Sequence, residues 1–409
     1  MKKIFFMLFL FSLLSSCQKA SDFLGVNYDN YDNYDNSLIY PDGSMGNASF
    51  YADYKERGNK RYNFNKIAEY DKLIIYLQDG SGYNKESVDY IANVFNNNYA
   101  EEVRIYGEHT DVDKNGKIII LLLELNASYS GTVITGYFYG NDLLLNQNNN
   151  AEILYMDIKI VNENPEYMAG TIQHEFQHLI NFNVNYIENG KEISTWLNEA
   201  LSESTSILFS PITVSSRINE FNRMNGYYCF YTWNLPLNIF ANYPSVSVFM
   251  NWLYQRNNNN PSVFQNIAKY SSAEDYNRVL NNVSFIGASS WDDLLFKWVE
   301  GIYNGEVTGA EIKEQKENDN INLYPGAVVV YNGSLTQSGN LLTRKLSSSL
   351  ELALNNDTYI GNSPTPINIT TPKASSVQAS KMYETVNDIP YIPKERHILF
   401  GKDGKIKEY

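Results

Sequence analysis

Residues 174 to 178 read His-Glu-Phe-Gln-His. On a helix, histidines four apart project from one face, where two neutral imidazoles can hold one zinc ion. Glu175, one position along, is angled toward the open place on such an ion and has the chemistry of a general base. The chain has only four histidines, so this spacing is improbable by chance. The alternative is a pair of histidines satisfied inside a core helix. Catalytic zinc usually takes three protein ligands and keeps one place open. Glu199, 21 positions beyond His178, is the candidate third ligand. It sits in Thr195-Trp196-Leu197-Asn198-Glu199-Ala200-Leu201-Ser202-Glu203. Glu203, one helical turn further, is suited to accept the remaining ring N–H of a ligating histidine and fix its tautomer. The competing reading for both acids is an exposed acidic face. Trp196, Leu197, Ala200 and Leu201 instead point to a partly buried helix, where unpaired carboxylates are costly.

These residues need elements to hold them. Leu73 to Leu77 reads as a short buried strand, and Ser87 to Asn98 carries apolar residues at helical spacing. A second strand, Ile118 to Leu125, follows a turn at residues 111–117. A third, Ile153 to Ile160, leads into Asn164-Pro165, which suits a helix start. From there to about Tyr303 the pattern is helical, with Leu294, Leu295, Trp298, Val299 and Ile302 on one stripe. Beyond Val307, short strand-like runs broken by Gly, Pro, Asn and Ser predict a small β-rich unit. The pattern is α+β, with one domain at 66–305 and the β-rich region at 306–409.

The start of the chain reads as an address. Lys2 and Lys3 precede an apolar run, Ile4 to Leu14, too short to span a bilayer of ~30 Å. It closes on Leu14-Ser15-Ser16-Cys17, which resembles the lipobox of bacterial lipoproteins. That predicts a signal peptide at 1–16, acylation of Cys17 and a lipid anchor. Gln18 favours the outer membrane or cell surface of a bacterial envelope. The alternative is an ordinary signal peptide with a chance cysteine. Residues 17–65 read as an acidic, polar tether, because the repeat NYDNYDNYDN at 27–36 has neither helix nor strand period. An adhesive tyrosine patch is the other reading of that repeat.

Composition narrows the rest. With 409 residues, 43% hydrophobic and 19% charged, the chain has ample material for a core and is not mainly disordered. A formal charge of −14 argues against nucleic acid as a partner. Two cysteines, Cys17 and Cys229, exclude a disulfide scaffold and a four-cysteine zinc module.

HEFQHLINF followed by TWLNEALSE resembles the gluzincin metallopeptidases, and among them the hyicolysin family of bacterial neutral zinc peptidases. The similarity extends to DVDKNGKIIILL, GYFYGNDLL and AEILYMDI, although family members commonly have Gly in place of Ala200. It implies zinc on His174, His178 and Glu199, with Glu175 catalytic, and a protein or peptide substrate. It also implies a zincin-like fold, in which a mixed sheet packs on the HExxH helix beside a helical second subdomain. Ile153 to Ile160 would be the edge strand, open to an extended substrate. Gluzincins often supply a tyrosine or histidine to the oxyanion, and Tyr243, ahead of the helical run from Val246, is the candidate here. Tyr186, Tyr228 and Tyr231 compete, whereas His109 and His397 have no motif around them.

Asp111, Asp113, Asn115 and Gly116 resemble the start of a calcium loop, but the twelfth position is Leu122, not the acid such a loop needs. A tight turn is the first reading there and Ca2+ the second. A zinc aminopeptidase and a non-catalytic surface lipoprotein, an adhesin or envelope binding protein on a peptidase-like fold, are the alternatives to an endopeptidase.

Overall fold

A computed structural model of the chain describes residues 37–129, 133–145, 148–224, 226–233, 239–315, 320–333, 335–337, 341–356, 366–370, 399–400 and 406–407. The expected signal peptide with Cys17, the repeat at 27–36 and His397 lie outside them. The chain forms two compact units, whose bounds run differently from the divisions at 65/66 and 305/306. One comprises Met1–Arg104, Glu108–Asn183 and Thr385–Tyr409, and the other Ile105–Gly107 and Val184–Glu384.

The first unit is built on β1 (Asn47–Asp53), β2 (Asn59–Glu69), β3 (Leu73–Gln78), α1 (Lys85–Tyr106), β4 (Ile118–Leu123), β5 (Gly136–Phe138) and β6 (Ile153–Asp157). Two helices follow, α2 (Ile158–Glu163) and α3 (Pro165–Asn181). The strands form one mixed sheet in the order β1-β2-β3-β4-β6-β5. β3, β4 and β6 run parallel, and the remaining pairings are antiparallel. β4 is buried along its whole length, which is why it is an unbroken Ile/Leu run.

Two expectations are corrected here. The polar stretch assigned to the tether contains the antiparallel pair β1–β2, so paired strands lie well before the expected domain start at residue 66. Its strands are Asn-rich, but they turn Ala52, Phe64 and Ile67 inward, and that thin apolar face is enough when neighbouring strands supply the pairing. Ile153 to Ile160 is not an edge strand. It pairs with β4 on one side and β5 on the other, and it ends at Asp157. Asp157 caps α2, accepting from the backbone N–H groups of Lys159 and Ile160, and so turns the chain into helix. The edge beyond β6 is the three-residue β5.

α3 carries the His-Glu-Phe-Gln-His motif. Asn164 caps its start by accepting from Tyr167 N–H at 3.2 Å, and Pro165 occupies the first turn, where its missing N–H costs nothing. The helix lies against β5 and β6, and every residue from Tyr167 to Asn181 is buried. Close approach at its end depends on Gly140: a Cβ there would stand 2.8 Å from the Phe182 ring.

The second unit contains the helices α4 (Thr195–Phe209), α5 (Pro211–Arg223), α6 (Ile239–Arg256), α7 (Ser262–Ala268), α8 (Asp275–Asn282) and α9 (Trp291–Tyr303). The short strand β7 (Tyr227–Tyr228) lies between α5 and α6. The expected stripe on α9 is buried from Leu294 to Ile302. After it come β8 (Asn320–Leu323), β9 (Val328–Asn332), β10 (Thr336–Gln337), β11 (Leu342–Lys345), β12 (Leu350–Leu354) and β13 (Ile367–Thr370). They form two small sheets, and β7 joins one of them by pairing with β9. The β-rich region therefore shares a sheet with the helical one. No helix among the described residues is long and apolar enough to cross a membrane.

Candidate metal centre

α3 places His174 and His178 one turn apart on one face, as the spacing requires. Their rings meet edge to face with centroids 4.8 Å apart. The two Nε2 atoms stand 3.1 Å from each other. Zinc–nitrogen bonds of about 2.0–2.1 Å at a tetrahedral angle set two ligand nitrogens about 3.3 Å apart, so the pair has the spacing of ligands to one ion. Both rings are almost fully buried, at 4% and 3% exposure, as is Glu175 at 1%.

α4 supplies Glu199, which is 2% exposed. One ligand atom each from His174, His178 and Glu199 lies within 4.8 Å of the others. Two imidazoles and one carboxylate form a mixed nitrogen and oxygen set, and these three residues could bind a metal ion.

α4 is unusual in burying many polar side chains. Ser204 and Thr205 satisfy their hydroxyls by donating to the carbonyls of Leu201 and Ser202, and Ser204 also meets the Tyr106 hydroxyl. Glu203 is fully buried and is gripped by Arg217 of α5. The guanidinium donates through Nε to one carboxylate oxygen at 3.0 Å and through a terminal nitrogen to the other at 2.8 Å. The same arginine reaches Glu220 at 3.4 Å. Burial opposes its charge, yet Glu203 and Glu220 outweigh that and hold its pKa above the ordinary arginine value. Burial, helped by Glu203, raises the Glu220 carboxyl despite the pull of Arg217. Arg217 carries no motif. The full burial of Glu203, seen only in the structure, is what calls for a cation there.

Tyr243 lies inside α6 rather than ahead of it, followed by Pro244 within the same helix. Its ring packs edge-on against Trp233, with centroids 4.7 Å apart, and the Arg217 guanidinium stands 5.0 Å from its centre. Among its competitors, the Tyr228 hydroxyl is buried and accepts from the Lys313 backbone N–H. His109 stacks edge-on against Phe176 and Tyr99 and bonds the Tyr99 hydroxyl, so it serves the core of the first unit.

The architecture is therefore α+β, with a mixed sheet against a helix that bears a histidine pair and a candidate metal centre. No family model matches the chain. The chain is 28% identical over 177 residues to the neutral metalloprotease ShpI of Staphylococcus hyicus, a match covering 40% of this chain and 40% of that protein. The similarity supports a distant relationship to a metalloprotease, over well under half the length of either chain.

Proposed function

We propose that the protein is a zinc-dependent metalloendopeptidase of gluzincin type, with His174, His178 and Glu199 holding the ion. The observation that carries this reading is the buried convergence of two Nε2 atoms 3.1 Å apart with a Glu199 carboxylate oxygen within 4.8 Å. The similarity to a neutral metalloprotease supports proteins and peptides as the substrate class. Zinc, when bound, supplies Lewis acidity, polarising a carbonyl and acidifying water. Glu175 takes the proton of the attacking water and returns it to the departing amine. Burial of the site excludes bulk solvent and strengthens each of these charge interactions. Tyr243 is the proposed oxyanion donor. β5, whose outer side pairs with no strand among the described residues, offers backbone groups to an extended substrate. A zincin-like arrangement of this sheet and helix is part of the same proposal.

The test is direct. The purified protein is expected to hold close to one zinc per chain and to cleave an unstructured protein, with activity lost on chelation and restored by zinc. Zinc binding without cleavage across a broad peptide library would favour the non-catalytic surface protein instead.

We also propose that Cys17 is acylated and holds the protein on the bacterial envelope, on the strength of the Leu14-Ser15-Ser16-Cys17 sequence. Cys17→Ala is expected to shift the protein from the membrane fraction to the soluble one. Equal membrane retention of the two would remove this assignment.

A further inference from the structure

The turn that leads into β4 brings Asp111 and Asp113 to a third acid from far along the chain. One ligand atom each from Asp111, Asp113 and Glu152 lies within 4.8 Å of the others. Glu152 is fully buried, next to the first residue of β6. One of its carboxylate oxygens accepts from the Val112 N–H at 2.8 Å, which ties the side chain to the turn itself. Its other oxygen is buried with no hydrogen-bond partner. A buried carboxylate oxygen left unpaired beside two further carboxylates is costly. Among the described residues no lysine or arginine pairs with any of the three, and the nearby Lys117 is turned instead to Glu69, at 3.1 Å.

The turn is already shaped to present its acids. Gly116 N–H donates to Asp111 at 3.0 Å, Asn115 N–H donates to Asp113 at 3.1 Å, and Gly116 takes a positive φ of 68° that closes the bend. The second Asp113 oxygen accepts from the Asn115 side-chain amide at 2.7 Å, and a carboxylate oxygen that accepts one hydrogen bond keeps a further lone pair. The strand residue at Leu122 cannot supply the acid that completes a calcium loop, but Glu152 brings a carboxylate to the same two aspartates from elsewhere in the chain.

We propose that Asp111, Asp113 and Glu152 bind a calcium ion. An all-oxygen, carboxylate-rich set suits a hard cation with flexible coordination, and it does not suit zinc. The ion neutralises the three clustered charges. It also joins the turn before β4 to the residue before β6, two parallel neighbours whose starts are already tied by the Ile119 N–H bond to the Glu152 carbonyl at 2.7 Å. The site is separate from the histidine pair and stands or falls independently of it.

Calorimetric titration of the zinc-loaded full chain with Ca2+ alone tests this. One ion per chain is expected, saturating at or below about 1 mM, with a rise in the thermal midpoint. Glu152→Gln keeps the acceptor for Val112 but removes the charge, and it is expected to weaken calcium binding at least tenfold with zinc content unchanged. Asp113→Asn, at an exposed position, is expected to do the same. Absence of calcium binding in the parent chain, or equal affinity in the parent and Asp113→Asn, would overturn the proposal.

Discussion

Glu175→Gln is expected to leave zinc content near one ion per chain while lowering kcat on the order of a thousandfold. The substituted side chain keeps the shape and one carbonyl oxygen but can no longer take a proton. Glu175 is buried in the middle of α3, between the two histidines in sequence. A near-isosteric change there should leave the Nε2 spacing intact, so metal content separates loss of chemistry from loss of the site. KM is expected to change little, because the missing interaction belongs to the transition state. Tyr243→Phe in the same assay provides a graded comparison. A hydroxyl that serves the oxyanion lowers kcat when removed, whereas a ring that only packs on Trp233 leaves it intact. Activity within a few-fold of the parent for Glu175→Gln, at full zinc, would sink the general-base assignment.

How legible the site was depends on how local its information is. His174, Glu175 and His178 occupy five consecutive residues on one helix, so spacing alone determines a shared face. Asn164-Pro165 announced the start of that helix for an equally local reason, a cap followed by a residue that needs no donor partner. Glu199 was readable because apolar neighbours implied a buried helix, and it is buried. Arg217 was not readable. It lies 14 residues beyond Glu203 on another helix, and nothing local marks it as the cation that the acid requires. Glu152 carries no local mark for the same reason: its significance comes from the β4–β6 pairing, which brings it to a turn 40 residues earlier. β5 and the β1–β2 pair failed differently. Three residues give no period to read, and Asn-rich strands with a thin apolar face look like linker until their partners are known. The register of a sheet is a property of several segments at once, and single-segment patterns do not contain it.

Arg217→Ala is expected to destabilise the protein by about 3–5 kcal/mol, the usual consequence of leaving a buried charge without its partner. The Glu203 side chain is wholly buried and that of Arg217 only 6% exposed, so solvent cannot replace the lost fork. Glu220, also buried, loses its cation in the same step. The effect should reach zinc as well, because Glu203 and Glu199 share one face of α4, a turn apart, and Arg217 is what fastens that face to α5. Denaturant unfolding of the zinc-loaded chain reads the stability term, and competition with a chelator reads the metal term. Arg217→Lys is expected to recover part of each, since an ammonium restores the charge but not the two parallel bonds. Replacing Arg217 by Met together with Glu203 by Gln should cost less than Arg217→Ala, because removing both charges leaves fewer of them stranded. Were Arg217→Ala to unfold within about 1 kcal/mol of the parent, an ordinary surface-like effect, the acids of α4 and α5 would have to be held by something other than this arginine, and its place as the brace behind the proposed ligand Glu199 would be lost.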